Sequence, residues 1–398
     1  MSESLIERVR ERLAADARSG PGTLPAGVLA QAIRAESAGL LGDTEVLTSL
    51  RTVQTELTGV GVLEPLLCAP GTTDVLVTSP QQVWVDDGNG LRRSPIRFAD
   101  EAAVRRLAQR LALVCGRRLD DASPWVDGLL TGIGAARLTV RLHAVLPPVA
   151  VAGTCISLRV LRPATQDLAA LCASGAIAAE AEVILRDVID ARLAFLVSGG
   201  TGAGKSTLLS ALLGAVAAHE RIVCVEDAAE LAPPHPHLVT LVARGPNVEG
   251  VGEITVRQLV RQALRMRPDR IVVGEVRGAE VVDLLAALNT GHDGGAGTVH
   301  ANSPAEVPAR LEALGALGGL DRAALHSQLA AAVNVLLHVG RGRDGVRRLT
   351  EIAVLRRGQR AETCQTATAW QVDHPLGDPA HAEGAAELQR RVAERVLR

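Results

Sequence analysis

The chain has 398 residues, 47% hydrophobic and 22% charged, which suits two or three domains with buried cores. A net charge of −2, with three Trp, two Phe and no Tyr, argues against the basic surfaces and stacking platforms typical of nucleic-acid binding, so no stable nucleic-acid partner is expected. The six cysteines are scattered without a C-x-x-C pair, which predicts several buried thiols and neither disulfides nor a zinc site. We find no signal peptide and no integral membrane segment in the sequence, and we expect a cytoplasmic protein.

The first part of the chain predicts two units. Residues 1–58 have helical periodicity and are expected to form a helical leader. Residues 59–162 are expected to form a small α+β domain of PAS-like type. Its strands are predicted over residues 74–78, 82–86, 91–97, 126–130, 136–144 and 154–160, with a helix over 100–115. Residues 162–167 are interpreted as a linker between domains.

Strands and helices alternate over residues 163–360, a pattern typical of a mostly parallel, doubly wound sheet in an α/β fold. Strands are predicted over residues 193–197, 221–226, 238–241, 270–274, 297–299, 335–339 and 346–355. Helices are predicted over residues 206–218, 255–266, 279–288, 304–314 and 321–333. Residues 361–398 are expected to be a strand and helix tail that ends in an amphipathic helix over 383–398.

Residues 199–206 read Gly-Gly-Thr-Gly-Ala-Gly-Lys-Ser and match the phosphate-binding P-loop, G-x-x-x-x-G-K-S. Glycines let backbone amides approach phosphate oxygens, Lys205 reaches the β- and γ-phosphates, and the Ser206 hydroxyl can bind Mg²⁺. Lys205 is the only lysine of the chain, which indicates a position where arginine cannot serve. The residues expected to bind the nucleotide are Gly199, Gly200, Thr201, Gly202, Ala203, Gly204, Lys205, Ser206 and Thr207.

Acidic residues follow two predicted strands. Glu226, Asp227 and Glu230 follow one strand, and Glu275 and Arg277 follow another. Because ligands bind beyond the carboxyl ends of the strands in open α/β sheets, we expect these groups to lie near the P-loop. Nucleotide hydrolysis needs one carboxylate near the attacking water and another in the shell of Mg²⁺.

Two further patterns can contribute to hydrolysis. His292 and His300 flank a glycine-rich segment, which suggests a contact to the γ-phosphate; a metal pair is less favoured because their spacing fits no short zinc motif. A basic segment can supply an arginine that stabilises the transition state, although such segments are often only solvated. Its arginines are Arg261, Arg265, Arg267 and Arg270.

Four ordered blocks of the sequence resemble the type II/IV secretion ATPase superfamily of GspE/VirB type. They are GGTGAGKST (Walker A), RIVCVEDAAEL (the Asp box), RIVVGEVRG (an atypical Walker B) and TGHDGGAGTVHA (the His box). The segment LRMRPDRIVVGEVRGAE, followed by NTGHDG and HANSP, is similar to the CpaF/TadA-like branch, the ATPases of Flp/tight-adherence pili. Residues 60–162 also resemble the N-terminal domain of that branch.

The resemblance implies a RecA-like P-loop ATPase domain with ATP and Mg²⁺ bound between two domains of a homohexamer. It implies that His292 and His300 sense the γ-phosphate, and that an arginine of the N-terminal domain reaches the phosphates. For that arginine the candidates are Arg137, Arg141 and Arg159, with Arg141 best matched. The implied catalytic residues are Lys205, Glu226, Glu230, Glu275, Arg277, His292, His300 and Arg141; the implied Mg²⁺ site comprises Ser206, Asp227 and Glu275.

The chain departs from common patterns in two places, the first relative to most P-loop proteins and the second relative to the CpaF/TadA-like branch. Gly274 stands where most P-loop proteins carry an Asp of the Mg²⁺ shell, a feature that the family shares, and residues 128–136 do not follow the pattern of the branch. The tetracysteine insert of GspE-like ATPases is missing, which argues against that branch.

The expected function is an ATP-hydrolysing motor that works on inner-membrane platform proteins of a pilus or secretion machine, peripheral to the inner face of the cytoplasmic membrane. The alternative is a conjugation-type or DNA-translocating ATPase. A catalytically silent nucleotide-binding regulator stays open as well. A GTPase is disfavoured, since its N-K-x-D motif needs a second lysine.

Overall fold

The computed structural model describes Arg8, Arg12, residues 26–36 and residues 59–396 apart from 89, 248, 343–344, 359–362 and 375–377. Backbone contacts divide the chain into two units, and the boundary in the sequence lies between Arg162 and Pro163. Most of the predicted helical leader lies outside the described residues, which include helix α1 (Ala26–Glu36). No described helix is both long enough and apolar enough to cross a membrane.

In its described part, the first unit contains a six-stranded antiparallel sheet in the order β3-β2-β1-β6-β5-β4. The strands are β1 (Asp74–Ser79), β2 (Gln82–Asp86), β3 (Leu91–Arg93), β4 (Trp125–Ile133), β5 (Leu138–Val145) and β6 (Cys155–Leu161). Helices α2 (Glu64–Cys68) and α3 (Glu101–Val114) accompany them. The predicted mixture of strands around one amphipathic helix is therefore confirmed. The strand predicted over 91–97 is only three residues long.

Helix α3 illustrates how the sequence sets an element. Its N-cap, Asp100, accepts a hydrogen bond of 2.7 Å from the amide of Ala103, which satisfies one of the free donors of the first turn. Val104, Leu107 and Leu111 then recur at helical spacing and are all buried against the sheet. One apolar stripe thus decides which face of the helix meets the core.

The second unit contains an eight-stranded sheet within the described residues, in the order β14-β13-β12-β7-β11-β10-β8-β9. Neighbouring strands from β12 to β9 pair in parallel, and β13 and β14 add antiparallel strands at one edge. The strands are β7 (Phe195–Gly199), β8 (Ile222–Glu226), β9 (Leu238–Val242), β10 (Arg270–Val273), β11 (Ala296–Val299), β12 (Val335–Arg341), β13 (Arg347–Arg357) and β14 (Cys364–Gln371). The predicted mostly parallel sheet is confirmed.

Helices cover both faces of this sheet. They are α4 (Leu168–Ala173), α5 (Ala179–Asp190), α6 (Lys205–Gly214), α7 (Val256–Ala263), α8 (Glu280–Leu288), α9 (Val307–Leu317), α10 (Arg322–Ala332) and α11 (Ala382–Val396). Alternate residues of a strand point to opposite faces, so Phe195 and Val197 enter one buried cluster and Leu196 enters the other. Burial on both faces explains why β7, β8, β10 and β11 contain almost only apolar residues.

Three details differ from the sequence prediction. Helix α6 ends at Gly214 rather than at residue 218. In the region predicted as a strand and helix tail, β14 extends the central sheet and α11 packs on it, with Leu388 and Trp370 in one buried cluster, so both elements belong to the second unit. Of the cysteines, which are all free, only Cys224 and Cys364 are buried, and Cys68 is exposed.

Candidate active site

The P-loop connects the end of β7 with the start of α6. Gly204 is the N-cap of α6, which begins at Lys205. Its φ is 103°, a conformation that residues with a Cβ rarely adopt. The Lys205 side chain is buried, and its Nζ donates hydrogen bonds to the carbonyl oxygens of Gly199 (3.0 Å) and Gly200 (2.8 Å). The ammonium group therefore lies inside the loop, next to the positive end of the α6 dipole, which is where phosphate binding needs it.

A glutamate, an arginine and a histidine from two other strand ends surround this lysine. Glu275 follows β10, and its Oε2 accepts a hydrogen bond of 2.5 Å from Arg277. His300 follows β11, with Nε2 2.7 Å from Oε1 of Glu275 and Nδ1 3.3 Å from Nζ of Lys205. Since β10, β11 and β7 are parallel neighbours, their carboxyl ends bring all four side chains to one point.

The charges of this network tune one another. Burial alone would raise the pKa of Glu275, but the hydrogen bond from Arg277 and the positive charges of Arg277 and Lys205 lower it overall. Burial, together with the Lys205 charge, lowers the pKa of His300. Burial also lowers the pKa of Lys205, against the opposing effect of Glu275. Glu275 is consequently a carboxylate at neutral pH, while His300 is neutral.

Glu226, the last residue of β8, has a different environment. It is only 3% exposed, and its Oε2 accepts hydrogen bonds of 3.0 Å from the amides of Glu230 and Leu231. Burial raises its pKa to about 7, and the charge of Glu230 adds to the rise, although both amide hydrogen bonds oppose it. Through these two hydrogen bonds, the Glu226 side chain holds the backbone of the loop over residues 227–231.

Gly274 leaves the space that the Glu226 side chain occupies. A Cβ at Gly274 would lie 2.8 Å from Cγ of Glu226, closer than real Cβ contacts. The carbonyl oxygen of Gly274 also accepts a hydrogen bond of 2.7 Å from the Thr298 hydroxyl, which ties the end of β10 to β11. The glycine in place of the usual Asp thus has a steric reason in this fold.

The loop after β8 carries the remaining acids. The hydroxyl of Ser206 donates a hydrogen bond of 3.2 Å to Oε2 of Glu230. Asp227 instead lies toward Arg277, with 3.6 Å between its Oδ2 and Nη1. The backbone of Glu230 is held by Ala164, whose amide donates to its carbonyl oxygen at 3.0 Å. Ala164 belongs to the predicted linker, so this hydrogen bond joins part of that segment to the loop after β8.

Not every predicted site residue lies here. His292 precedes β11, whose first residue, Ala296, pairs with Phe195, the first residue of β7. His292 therefore lies at the amino ends of these strands, whereas the P-loop lies at their carboxyl ends. Its Nδ1 lies 3.1 Å from the carbonyl oxygen of Ala287. Because β11 lies between them, His292 and His300 are not neighbours, and only His300 lies beside Lys205.

The basic segment has structural partners. Arg270 is 1% exposed and donates hydrogen bonds of 2.9 and 3.0 Å to the buried Glu220. Arg261 donates to Asp283 at 2.7 Å. Arg265 and Arg267 are exposed. Arg270 lies at the amino end of β10 and is paired with Glu220, so the prediction that it stabilises a transition state at the P-loop is wrong for this residue.

The arginine candidates of the N-terminal domain belong to the first unit. There, Nε of Arg141 lies 3.5 Å from Asp127, and Arg159 donates to Asp74 at 2.8 Å. Arg137 is exposed with a φ of 50°. Their role toward phosphate stays a prediction.

Two features next to the P-loop have no signal in the sequence motifs. His338 of β12 lies with Nδ1 2.9 Å from the hydroxyl of the buried Ser198, because β12 pairs with β7 in parallel. Burial lowers the pKa of His338, although Glu351 and Glu306 oppose the shift. A cavity of about 200 Å³ also adjoins the loop. It is lined by Gln166, Leu171, Ser174, Ala176, Ile177, Ala203, Gly204, Thr207, Leu208, Val339, Arg347, Arg348 and Leu349.

Comparison with known sequences identifies a family that most of the chain matches. A sequence model of the family described as "Type II/IV secretion system protein" matches residues 56–370. The "Putative conjugal transfer protein Rv3659c" of Mycobacterium tuberculosis H37Rv is 76% identical over 343 residues, which cover 86% of this chain and 97% of that protein. The type IV secretion system protein PtlH of Bordetella pertussis is 33% identical over 270 residues, 61% of this chain and 76% of that protein.

Solved structures share the fold. The Legionella pneumophila ATPase DotB has a TM-score of 0.52 at 17% identity, covering 79% of this chain and 82% of that one. The pilus retraction motor PilT, solved with bound ADP, has a TM-score of 0.50 at 19% identity, covering 85% of this chain and 90% of that one. At this identity the likeness concerns the fold, and it confirms the RecA-like architecture expected from the sequence.

Proposed function

Because the chain belongs to the type II/IV secretion system protein family, we propose that it is an ATP-hydrolysing motor that couples nucleotide turnover to mechanical work on a membrane platform. One observation carries the proposal. Lys205, Glu275, Arg277 and His300 converge at the carboxyl ends of three adjacent parallel strands, beside a P-loop. That set contains a phosphate-binding cation, an ionised carboxylate and the groups that orient it.

ATP binding would use the P-loop and the cavity beside it. Amides of the loop, the α6 dipole and Lys205 favour the triphosphate. The apolar walls of the cavity, such as Ile177 and Leu349, suit a nucleoside, and Arg347 lies at its rim near Gly204.

The donor set next to the loop fits Mg²⁺. Ser206 supplies a hydroxyl, and Glu230 supplies a carboxylate that already contacts it. Oε1 of Glu275 is also buried, and it lies 2.7 Å from Nε2 of His300. Oxygen donors of this kind are what Mg²⁺ prefers, and Ser206 and Glu230 are the residues that would hold it, whereas Glu275 is paired with His300 and Arg277. When bound, the ion offsets the negative charge that develops on the phosphates.

Glu275 is the residue proposed to activate water. As a carboxylate it accepts the proton of a water that attacks the γ-phosphorus, while the bond to the bridging oxygen of ADP breaks. Arg277 and His300 hold Glu275 in place, and Lys205 neutralises the phosphates. Glu226 is proposed as a positioning residue, because it holds the backbone of the loop that carries Glu230.

The finer features of the motor are proposals that rest on the sequence resemblance. They are a homohexameric ring, ATP bound between domains with Arg141 reaching the phosphates, and membership of the CpaF/TadA-like branch. The same holds for partners at an inner-membrane platform and for a cytoplasmic location at the membrane face. The ATPase DotB and the pilus retraction motor PilT share the fold of this chain.

A conjugation-type transfer ATPase is the second candidate, because relatives at 76% and 31% identity are named as conjugal transfer proteins. A salt titration with DNA distinguishes the two functions. Stoichiometric DNA binding at physiological salt would favour transfer, whereas binding only at low salt favours the protein-export or pilus motor.

The Lys205→Ala variant tests the proposed activity. We expect ATP turnover by the full chain, measured as phosphate release, to disappear while the circular dichroism spectrum is retained. Arg265→Ala, which removes an exposed cation away from the P-loop, is the matched control and should keep wild-type turnover. Turnover by the Lys205→Ala protein at the wild-type rate would contradict the assignment.

A further inference from the structure

Three side chains with metal-binding groups lie together at the edge of the second unit, between β14 and α11. They are His374, Asp378 and His381, and their ligand atoms all lie within 4.8 Å of one another. Nδ1 of His374 is 2.9 Å from Oδ2 of Asp378, and the centroids of the two imidazole rings are 5.1 Å apart. Because β13 and β12 separate β14 from the P-loop strand, this cluster is distinct from the proposed ATP site.

Local backbone structure holds two of the three groups in place. Asp378 precedes a single 3₁₀ turn (Pro379–His381), and its Oδ1 accepts a hydrogen bond of 2.9 Å from the amide of Ala380. A 3₁₀ turn repeats every three residues, so Asp378 and His381 lie on the same side of it. Oδ2 of Asp378 is left to face His374, which gives the cluster one fixed carboxylate and two imidazoles.

An aspartate side chain is a carboxylate at neutral pH, and Oδ2 of Asp378 faces His374. An anionic oxygen between two imidazoles attracts a cation. The cluster is half-exposed, since His374 is exposed and the other two side chains are partly buried, so an ion can enter from solvent.

We propose that His374, Asp378 and His381 bind a divalent transition-metal ion of the Zn²⁺ type. Two nitrogen donors and one carboxylate match Zn²⁺, whereas Mg²⁺ and Ca²⁺ prefer sites made of oxygen alone. Bonds of about 2.0–2.1 Å in a tetrahedral site put donor atoms roughly 3.3 Å apart. One present separation is 2.9 Å and the others are at most 4.8 Å, so small rotations of surface side chains complete the site.

The surroundings give the site a structural consequence. A cavity of about 390 Å³ lies between β14, α11 and Ile184 of α5, and Asp378 and His381 form part of its wall next to Trp370 and Leu388. Three protein ligands leave a fourth position for water or a small anion. The ion would also link His374, which follows β14, to His381, which precedes α11. Because ligand binding to the folded state raises the free energy of unfolding, the bound ion would stabilise the second unit.

Metal titration of the full chain, stripped with a chelator, tests the site. Zn²⁺ is titrated by calorimetry, and Co²⁺ is used in parallel because its visible absorption reports tetrahedral coordination. We expect the wild type to bind one more ion per chain than His381→Ala or His374→Ala. The expected loss of affinity exceeds the roughly 10–100-fold that removal of a supporting hydrogen bond costs. The matched control is His219→Ala, which removes an exposed histidine elsewhere in the unit.

Equal stoichiometry and equal Co²⁺ absorption in the wild type and both variants would overturn the proposal. A melting experiment gives a second reading. At a hundredfold excess over Kd, Zn²⁺ should raise the Tm of the wild type by roughly 5–10 °C and leave that of His374→Ala, whose side chain is exposed, almost unchanged. An equal shift in both proteins would contradict a site built from these residues.

Discussion

The buried carboxyl of Glu226 makes the stability of the second unit depend on pH in an unusual direction. Its pKa is raised from an ordinary 4.5 to about 7, chiefly by burial. A carboxyl with a raised pKa binds more protons in the folded than in the unfolded chain between those two values. Its contribution is therefore fully present below pH 4.5 and is lost as pH rises toward and through 7.

The size of the effect follows from the shift. Each pKa unit corresponds to about 1.36 kcal/mol, so a shift of roughly 2.5 units costs ~3 kcal/mol once the group is ionised. Glu226→Gln removes the charge but keeps a side-chain oxygen that can accept the amide hydrogen bonds of Glu230 and Leu231. The new amide group costs about 1–3 kcal/mol where it lacks partners, but that cost does not change with pH.

The assay is denaturant unfolding of the full chain from pH 4.5 to 8, without nucleotide and with chelator present. Substitution of Trp84 and Trp125 by Phe leaves Trp370, which is buried in the second unit, as the fluorescent reporter. The free energy of unfolding of Glu226→Gln minus that of the parent should rise by about 3 kcal/mol across this range. Glu394→Gln, at an exposed position of α11, is the control.

A difference between the Glu226→Gln variant and its parent that stays flat from pH 4.5 to 8 would refute the buried, protonated carboxyl. A difference that falls with pH would be equally decisive. It would mean that Glu226 is stabilised as an anion, as expected if it contacted a cation rather than two amides.

Three further outcomes follow from the geometry. Gly274→Ala should destabilise the unit by about 1–3 kcal/mol in a thermal or denaturant melt, because its Cβ meets Glu226, and a melt equal to wild type would contradict the steric argument. Lys205→Arg should lose most ATP turnover in a phosphate-release assay, since a planar guanidinium does not replace a compact ammonium inside the loop; wild-type turnover would show that any cation suffices. Glu220→Ala should cost about 3–5 kcal/mol by denaturant unfolding, because it removes the bidentate partner of buried Arg270, and a loss below 1 kcal/mol would count against that pair.

The sequence is most informative where a short pattern has one structural solution. The P-loop needs a strand before it and a helix after it, so β7 and α6 could be located from residues 199–206. The acids after β8 and β10 could be grouped with the loop because parallel strands end at one edge of a sheet.

Long-range packing decides what the sequence leaves open. Glu226 and Glu275 look alike in sequence, but the space at Gly274 buries one while Arg277 holds the other at the site. Motif spacing groups His292 with His300, whereas the direction of β11 separates them. His338 reaches Ser198 only through the pairing of β12 with β7, and no local pattern encodes that pairing.

The role of Glu275 is the most direct test of the proposed chemistry. Glu275→Gln keeps the size of the side chain but cannot accept a proton from water. We expect the full chain carrying it to bind ATP with an affinity close to wild type, measured by calorimetry, while kcat in a phosphate-release assay falls by roughly 10²–10⁴. A wild-type kcat in this variant would contradict the proposal that the carboxylate beside Lys205, Arg277 and His300 activates the water.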